Sequence, residues 1–112
     1  MTWYKQSKTE HLNKKHISKL YDGTNIYMVE GGYVRDNYDV DFVYGGHHLA
    51  YDFIPENEIW IERHDTDKHD TLAIMAHEII EYLDMKYKHE PYAKAHKKAL
   101  EGEKEVRKET PI

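Results

Sequence analysis

Residues 70–85, DTLAIMAHEIIEYLDM, change the pattern of the sequence from short β-type runs to a helical repeat. Apolar residues recur here at intervals of three and four, which places their side chains on one face of a helix. These residues are Leu72, Met75, Ala76, Ile79, Ile80 and Leu83. Asp70 and Thr71 are of the types that cap a helix N-terminus. Ile74 and Met85 flank the polar side of this helix, so we expect both of its sides to be covered.

A second helix is predicted after the short link YKHEP, residues 87–91. Pro91 suits the first turn of a helix, and the Ala, Lys and Glu content continues to about Lys108. Two helices joined by so short a link are expected to pack antiparallel.

The first part of the chain predicts one helix followed by a small sheet. Residues 9–21 space Leu12, His16, Ile17 and Leu20 at helical intervals and stop before Gly23, which suits a helix C-terminus. We therefore predict a short N-terminal helix.

β-branched and aromatic residues then dominate three segments, which predict three to five short, mostly antiparallel strands. The segments are NIYMVEGGYVRD (25–36), DFVYGGHHLAYDF (41–53) and NEIWIER (57–63). EGG (30–32) is typical of a hairpin turn, and PEN (55–57) predicts a second turn. The predicted fold class is α+β, with a small antiparallel sheet and two C-terminal helices.

Length and composition limit the classes of protein to consider. A chain of 112 residues suits a single domain, residues 1–112. No apolar run approaches the roughly 20 residues of a membrane span, and no secretory leader is recognisable, so we expect a cytoplasmic protein without a membrane partner. The net charge of −5, with both signs interspersed, does not favour nucleic-acid binding. Because the chain has no cysteine, a metal would have to be held by histidine and carboxylate.

Each C-terminal helix offers one histidine and one carboxylate on its inner face. His77 and Glu81 are i,i+4 neighbours, and His96 and Glu103 share a face with small and apolar residues. Taken alone, Glu81 could belong to a solvated helix face, and His96 could form a hydrogen-bonded core pair with Glu103 or Glu81. Because antiparallel packing would bring all four groups together, the pattern favours a divalent metal site.

The predicted ligands are His77, Glu81 and His96, with Glu103 as a fourth ligand or as the group that orients His96. Zn²⁺ is the expected ion, although another divalent transition metal would suit the same donors. Glu78, next to His77, occupies the place where the zinc-protease helix carries its general base.

The HEIIE motif (77–81) followed by PYAKAH (91–96) resembles the zincin-like group of small metallopeptidase-related proteins of bacteria and phages. The resemblance covers roughly residues 25–103 and includes the strand pattern GGHHLAYDFIPENEIWIE. It implies His77 as first ligand, Glu78 as base and His96 as third ligand. Glu81 replaces the second histidine of the familiar zincin pattern, which would make bound water less acidic. In zincins an edge strand beside the metal helix binds extended peptide.

Four further histidines lie outside this predicted ligand set. Strand alternation places His47 and His48 on opposite faces of the sheet, so only one of them can face the helices. The slightly favoured interpretation is a turn followed by two partly exposed histidines. His64 and His69 are predicted to lie on the surface.

The sequence therefore predicts a zinc-dependent peptidase or amide hydrolase, in which metal-bound water attacks and Glu78 is the acid/base. The alternative is a non-catalytic domain in which the same residues form a structural or degenerate site, and the sheet edge or a tyrosine-rich surface binds another protein. A peptide or protein is the expected substrate or partner in both cases.

Overall fold

A computed structural model describes residues 12–63 and 68–108 of the chain. The elements run in the order β1 (Lys15–Lys19), β2 (Asn25–Val29), α1 (Gly31–Asn37), β3 (Gly45–His47), β4 (Glu58–Glu62), α2 (Lys68–Tyr87) and α3 (Tyr92–Lys108). The α+β class and the two C-terminal helices are confirmed. The four strands fall within the predicted three to five.

The sheet is mixed, with strand order β1-β2-β4-β3. β1 pairs antiparallel with β2, and β3 pairs antiparallel with β4, but the central strands β2 and β4 run parallel. A parallel pair needs a crossover connection, and the segment containing α1 and β3 supplies it. In the strand order β3 comes last, so it is an edge strand. The turn predicted at residues 55–57 is confirmed, with Asn57 in the left-handed region at φ 63°.

The helix predicted over residues 9–21 is wrong from Asn13 onward, although Leu12 itself is helical. Residues 9–11 lie outside the described part of the chain, and Lys15–Lys19 form strand β1. Asn13 has φ 51°, a left-handed conformation that a right-handed helix cannot continue through. Leu12 is buried in the core, whereas Gly23, at φ 92°, belongs to the turn between β1 and β2. The helical spacing was misleading because Leu12 and Ile17 pack in two different clusters.

The hairpin predicted at EGG is also wrong, because the chain enters helix α1 there. Arg35 on this helix forms a bidentate ion pair with Glu62 at 2.9 Å for both contacts, and it donates to the carbonyl of Phe42 at 3.0 Å. A side chain at Gly31 would collide with the Glu62 carboxylate. The glycine thus permits helix α1 to approach β4 closely, a contact that no local turn preference encodes.

Alternation along the central strands sends side chains into two cores. One core lies between the sheet and α2 and contains Ile26, Ile59, Ile61, Ile74 and Tyr82. The other lies on the opposite face and contains Leu12, Val29, Val34, Phe42, Ile54 and Trp60. On β4, Trp60 points away from its neighbours Ile59 and Ile61, as the two-residue period of a strand requires.

Helix α2 lies between the sheet and α3 and contacts β3, β4 and α3, so both of its sides are covered as predicted. It begins at Lys68, so Asp70 and Thr71 lie inside its first turns rather than at its cap. Leu72 was predicted to pack but is 55% exposed, whereas Ala73 is fully buried. The apolar stripe is therefore rotated slightly from the sequence-based assignment.

We expect Gly46→Ala to lower the free energy of unfolding by roughly 1–3 kcal/mol, the usual cost of overpacking. A β-carbon at position 46 would lie 2.6 Å from the Tyr51 ring, which packs against Phe42 and Phe53. Gly32→Ala is the matched control, because nothing lies within 4 Å of its β-carbon position in α1. Urea unfolding should show the control at or above wild-type stability. Equal effects of the two changes would contradict this packing argument.

Candidate metal centre

Helix α2 brings a group of neighbouring polar side chains into the interior of the protein. His77 and Glu78 are each 7% exposed, and Glu81 is 3% exposed. Because residues 77 and 81 are one turn apart, they lie on the same side of the helix, and Glu78 lies next to them. Charged side chains are rarely buried to this degree without partners. The partners come from α3 and from β3.

Helix α3 contributes His96 and Glu103. Ala95 and Ala99 are fully buried on this helix, and their small side chains let α3 pack closely against α2. His96 Nδ1 lies 2.8 Å from Glu81 Oε2. Glu103 Oε1 lies 2.9 Å from Nδ1 of His77, and Glu103 Oε2 accepts hydrogen bonds from Arg107, so the histidine that Glu103 contacts is His77 and not His96. The expectation that Glu103 orients His96 is therefore corrected.

Three potential ligand atoms form a compact triangle between the two helices. Glu81 Oε2 lies 2.8 Å from His96 Nδ1 and 3.3 Å from His77 Nε2, and the two histidine nitrogens are 3.3 Å apart. Because Glu103 accepts the proton on His77 Nδ1, a neutral His77 directs the lone pair of Nε2 at a carboxylate oxygen. That contact is repulsive unless His77 is protonated or a cation lies between the atoms.

His47, on β3, is the site residue that the sequence did not identify. Its side chain is fully buried, and its Nε2 lies 2.9 Å from Glu81 Oε1. The favoured interpretation of a partly exposed residue was wrong for His47. His48 is half-buried, its ring also packs against Tyr82 of α2 at 5.4 Å between centroids, and its Nδ1 accepts the backbone N–H of Asn57 at 3.2 Å. Of the two histidines, His47 contacts the Glu81 carboxylate, whereas His48 follows the end of β3, where strand alternation no longer applies.

The two buried glutamates of α2 ionise very differently. Burial alone would raise the pKa of Glu81, but hydrogen bonds from His47, His77 and His96 outweigh it and lower this pKa to about 2. Burial disfavours the charged form of His77, but hydrogen bonds to Glu81 and Glu103 raise its pKa above the ordinary value. Glu81 is thus an anion throughout the physiological range.

Glu78 has the opposite behaviour. Burial raises its pKa to about 8, and the nearby charge of Glu81 adds to the effect. Within the described residues its carboxylate accepts no hydrogen bond that would offset the burial. A β-carbon at Gly45 would lie 3.0 Å from Glu78 Cγ, so the glycine of β3 allows this close contact. A carboxyl group with this pKa can gain or release a proton near neutral pH.

The cluster lies at the base of a cleft of about 620 Å³, which Glu78, Glu81, His77 and His96 help to line. Large apolar side chains surround its mouth and are 40–54% exposed. They are Val43, Tyr44, Leu49, Tyr92 and Leu100. A cleft of this volume can admit a peptide side chain, and its lining extends from these exposed side chains to the buried Glu78 and Glu81.

These buried His and Glu groups could hold a metal ion. His77, Glu81 and His96 offer one ligand atom each within 4.8 Å of one another. Glu103 does not belong to this set and instead fixes the ring of His77 from behind. His64 lies outside the described residues, and His69 is half-buried rather than on the surface.

Comparison with protein-family models, curated proteins and solved structures finds no match for this chain. Across residues 12–63 and 68–108, none of the helices combines the length and the apolar character needed to cross a bilayer. The argument for function therefore rests on the geometry of the site.

In chelator-treated protein, the cost of burying Glu78 should depend on pH. Between pH 4.5 and about 8 the unfolded chain releases the Glu78 proton while the folded protein retains it, so stability falls as the pH rises. Glu78→Gln has no such proton. As the pH rises from 4.5 to 8, the free energy of unfolding of the variant should increase relative to that of wild type by on the order of a few kcal/mol. Urea unfolding at several pH values measures the difference, and parallel stability curves for the two proteins would refute it.

Proposed function

We propose that the protein is a zinc-dependent hydrolase of peptide or amide bonds, with a zincin-like site. The observation that carries the proposal is the triangle of Glu81 Oε2, His77 Nε2 and His96 Nδ1 at the base of an open cleft. A hydrogen-bonded core pair would not need two imidazoles on one carboxylate oxygen, nor a solvent-accessible cleft above them.

The dimensions of the triangle suit zinc. For a tetrahedral ion with ligands at 2.0–2.1 Å, two ligand atoms lie about 3.4 Å apart. The three edges in this protein, 2.8, 3.3 and 3.3 Å, are close to that spacing before any adjustment. Two imidazoles and one carboxylate form a donor set found in catalytic zinc sites, where water occupies the fourth position.

Two residues outside the ligand set hold the ligands in place. Glu103 accepts the Nδ1 proton of His77, which leaves Nε2 free to coordinate. His47 donates to Glu81 Oε1 and so turns the other oxygen, Oε2, toward the two histidines. Such outer contacts fix the tautomer and the orientation of metal ligands.

Glu78 is the group that moves protons in this proposal. When bound, the zinc ion acts as a Lewis acid toward the scissile carbonyl and acidifies water. The Glu78 carboxylate takes a proton from the attacking water and passes it to the leaving amine. Its position beside the ligands, at the base of the cleft, and its readiness to change charge near neutral pH support this role.

A peptide or protein is the proposed substrate. The apolar mouth of the cleft favours a segment with large uncharged side chains, since such side chains lose little by leaving water. The available edge of β3 is short, because its His47 carbonyl already accepts the N–H groups of Ala50 and Tyr51. Substrate contacts would therefore come mainly from side chains around the cleft.

A non-catalytic, metal-stabilised binding domain is the second candidate. The exposed apolar and aromatic side chains at the cleft mouth, Tyr44, Tyr92 and Leu100 among them, are of the kind that protein interfaces use. Glu81 in place of a second histidine adds negative charge and would weaken the activation of water. In this case the ion stabilises the fold and the cleft binds a partner without cleaving it.

Removal of the metal should destabilise the wild-type protein. A ligand that binds only the folded state adds about 2.7 kcal/mol of stability at a hundredfold excess over its Kd. A chelator should therefore lower the melting temperature of wild type and of the control Lys97→Ala, which changes an exposed residue of α3. His96→Ala should not respond to the chelator. A full chelator response in His96→Ala would count against His96 as a ligand.

Glu78→Gln should separate metal binding from catalysis. The amide keeps the shape of the side chain but cannot accept a proton, so hydrolysis of a peptide library should fall by a hundredfold or more. The zinc at the triangle should remain, as measured by elemental analysis. Glu101→Gln, an exposed change on α3, should leave turnover unchanged. Equal background turnover in wild type and Glu78→Gln would instead support the binding domain.

A further inference from the structure

Glu78 and His47, two buried side chains beside the proposed zinc site, each have a polar atom without a hydrogen-bond partner among the described residues. Glu78 is 7% exposed, and within the described residues its carboxylate accepts no hydrogen bond. His47 is fully buried and its Nε2 contacts Glu81 Oε1, whereas its Nδ1 has no hydrogen-bond partner among the described residues. Buried polar groups in folded proteins are usually paired, and a cation at the base of the cleft would supply the protein-bound partner that the Glu78 carboxylate lacks.

The same two residues form a second cluster with Glu81. His47, Glu78 and Glu81 each offer a ligand atom, and the three atoms lie within 4.8 Å of one another. His47 Nε2 and Glu81 Oε1 are 2.9 Å apart, close to the spacing of about 3 Å between neighbouring ligands of a six-coordinate ion with bonds near 2.1 Å. All three residues are buried.

Glu81 belongs to both clusters through different oxygens. Its Oε1 faces His47, and its Oε2 faces His77 and His96. A carboxylate with donors arranged on both oxygens can bridge two cations, and paired metal sites hold their ions about 3.5–4 Å apart. A cation at this position would also reduce the repulsion between the buried Glu78 and Glu81 carboxylates.

We propose that His47, Glu78 and Glu81 form a second divalent-metal site, with Glu81 bridging it to the ion held by His77 and His96. One imidazole and two carboxylates suit zinc and, because oxygen donors predominate, also manganese. The second ion binds more weakly than the first, since a like charge already occupies the neighbouring position.

Occupation of this site has a regulatory consequence, which rests on the proposed hydrolase function. The second ion coordinates the Glu78 carboxylate, which is the group that must accept the proton from water. Glu78 cannot serve as a base while its oxygens bind a cation. Hydrolysis should therefore rise with the first equivalent of metal and fall, by tenfold or more, as the second site fills.

Metal stoichiometry tests the site independently of activity. Chelator-treated full-length protein is dialysed against increasing Zn²⁺, and bound zinc per chain is measured by elemental analysis. Wild type and the exposed control Glu101→Gln should bind two equivalents. His47→Gln and Glu78→Gln should bind one, with unchanged affinity for the first ion. Glutamine at position 47 can still donate to Glu81 Oε1, so Glu81 keeps its orientation.

A second measurement separates this site from the zinc triangle. His96→Ala should still bind one ion, and the double variant His96→Ala with His47→Gln should bind none. Circular dichroism and melting temperature show whether each variant is folded, and Mn²⁺ paramagnetic resonance should show coupling between neighbouring ions in wild type only.

The measured metal contents can overturn the second site, or show that only one of the two proposed metal sites exists. Saturation of wild type at one ion, or retention of two ions in both His47→Gln and Glu78→Gln, overturns the second site. If the single ion of wild type is lost in His96→Ala, the zinc triangle stands and the second site alone fails. If His96→Ala has no effect on metal content while His47→Gln removes one ion, the second site stands and the triangle fails.

Discussion

The Glu81 carboxylate is the interaction on which the rest of the site depends. It is almost completely buried, and its two oxygens contact imidazoles from three elements, His77 on α2, His96 on α3 and His47 on β3. A buried anion is stable only with such partners, and loss of one partner leaves an uncompensated charge. The packing of α3 and β3 against α2 is therefore tied to the position of one side chain.

Two glutamates three residues apart acquire opposite properties because their partners differ. Glu81 has hydrogen bonds from three histidines, and its pKa falls to about 2. Glu78 is equally hidden from water but lacks such donors, and its pKa rises to about 8. A pair of acids with widely separated pKa values can divide the roles of permanent anion and proton carrier. The proposed assignment of ligand and base follows this division.

The strand β3 shows how a short, weak element can position a functional residue. Its two glycines lack the side chains that would collide with Glu78 at Gly45 and with the Tyr51 ring at Gly46. The strand therefore lies directly against α2 and against an aromatic cluster, and the next residue, His47, is carried into the site. Glycine costs backbone entropy, and this close approach explains why it is used twice here.

The sequence by itself determined what local periodicity controls. Residue spacing predicts helices α2 and α3, and it places His77 and Glu81 together, because i,i+4 neighbours share a helix face whatever surrounds them. The short link between the helices predicts their antiparallel packing, which brings His96 to the same place. Tertiary structure decided the rest. The strand at Lys15–Lys19 and the helix at Gly31–Asn37 depend on pairing with β2 and on the contact between Arg35 and Glu62. Likewise, the pairings of His47 with Glu81 and of Glu103 with His77 join residues far apart in sequence, which no short-range pattern encodes.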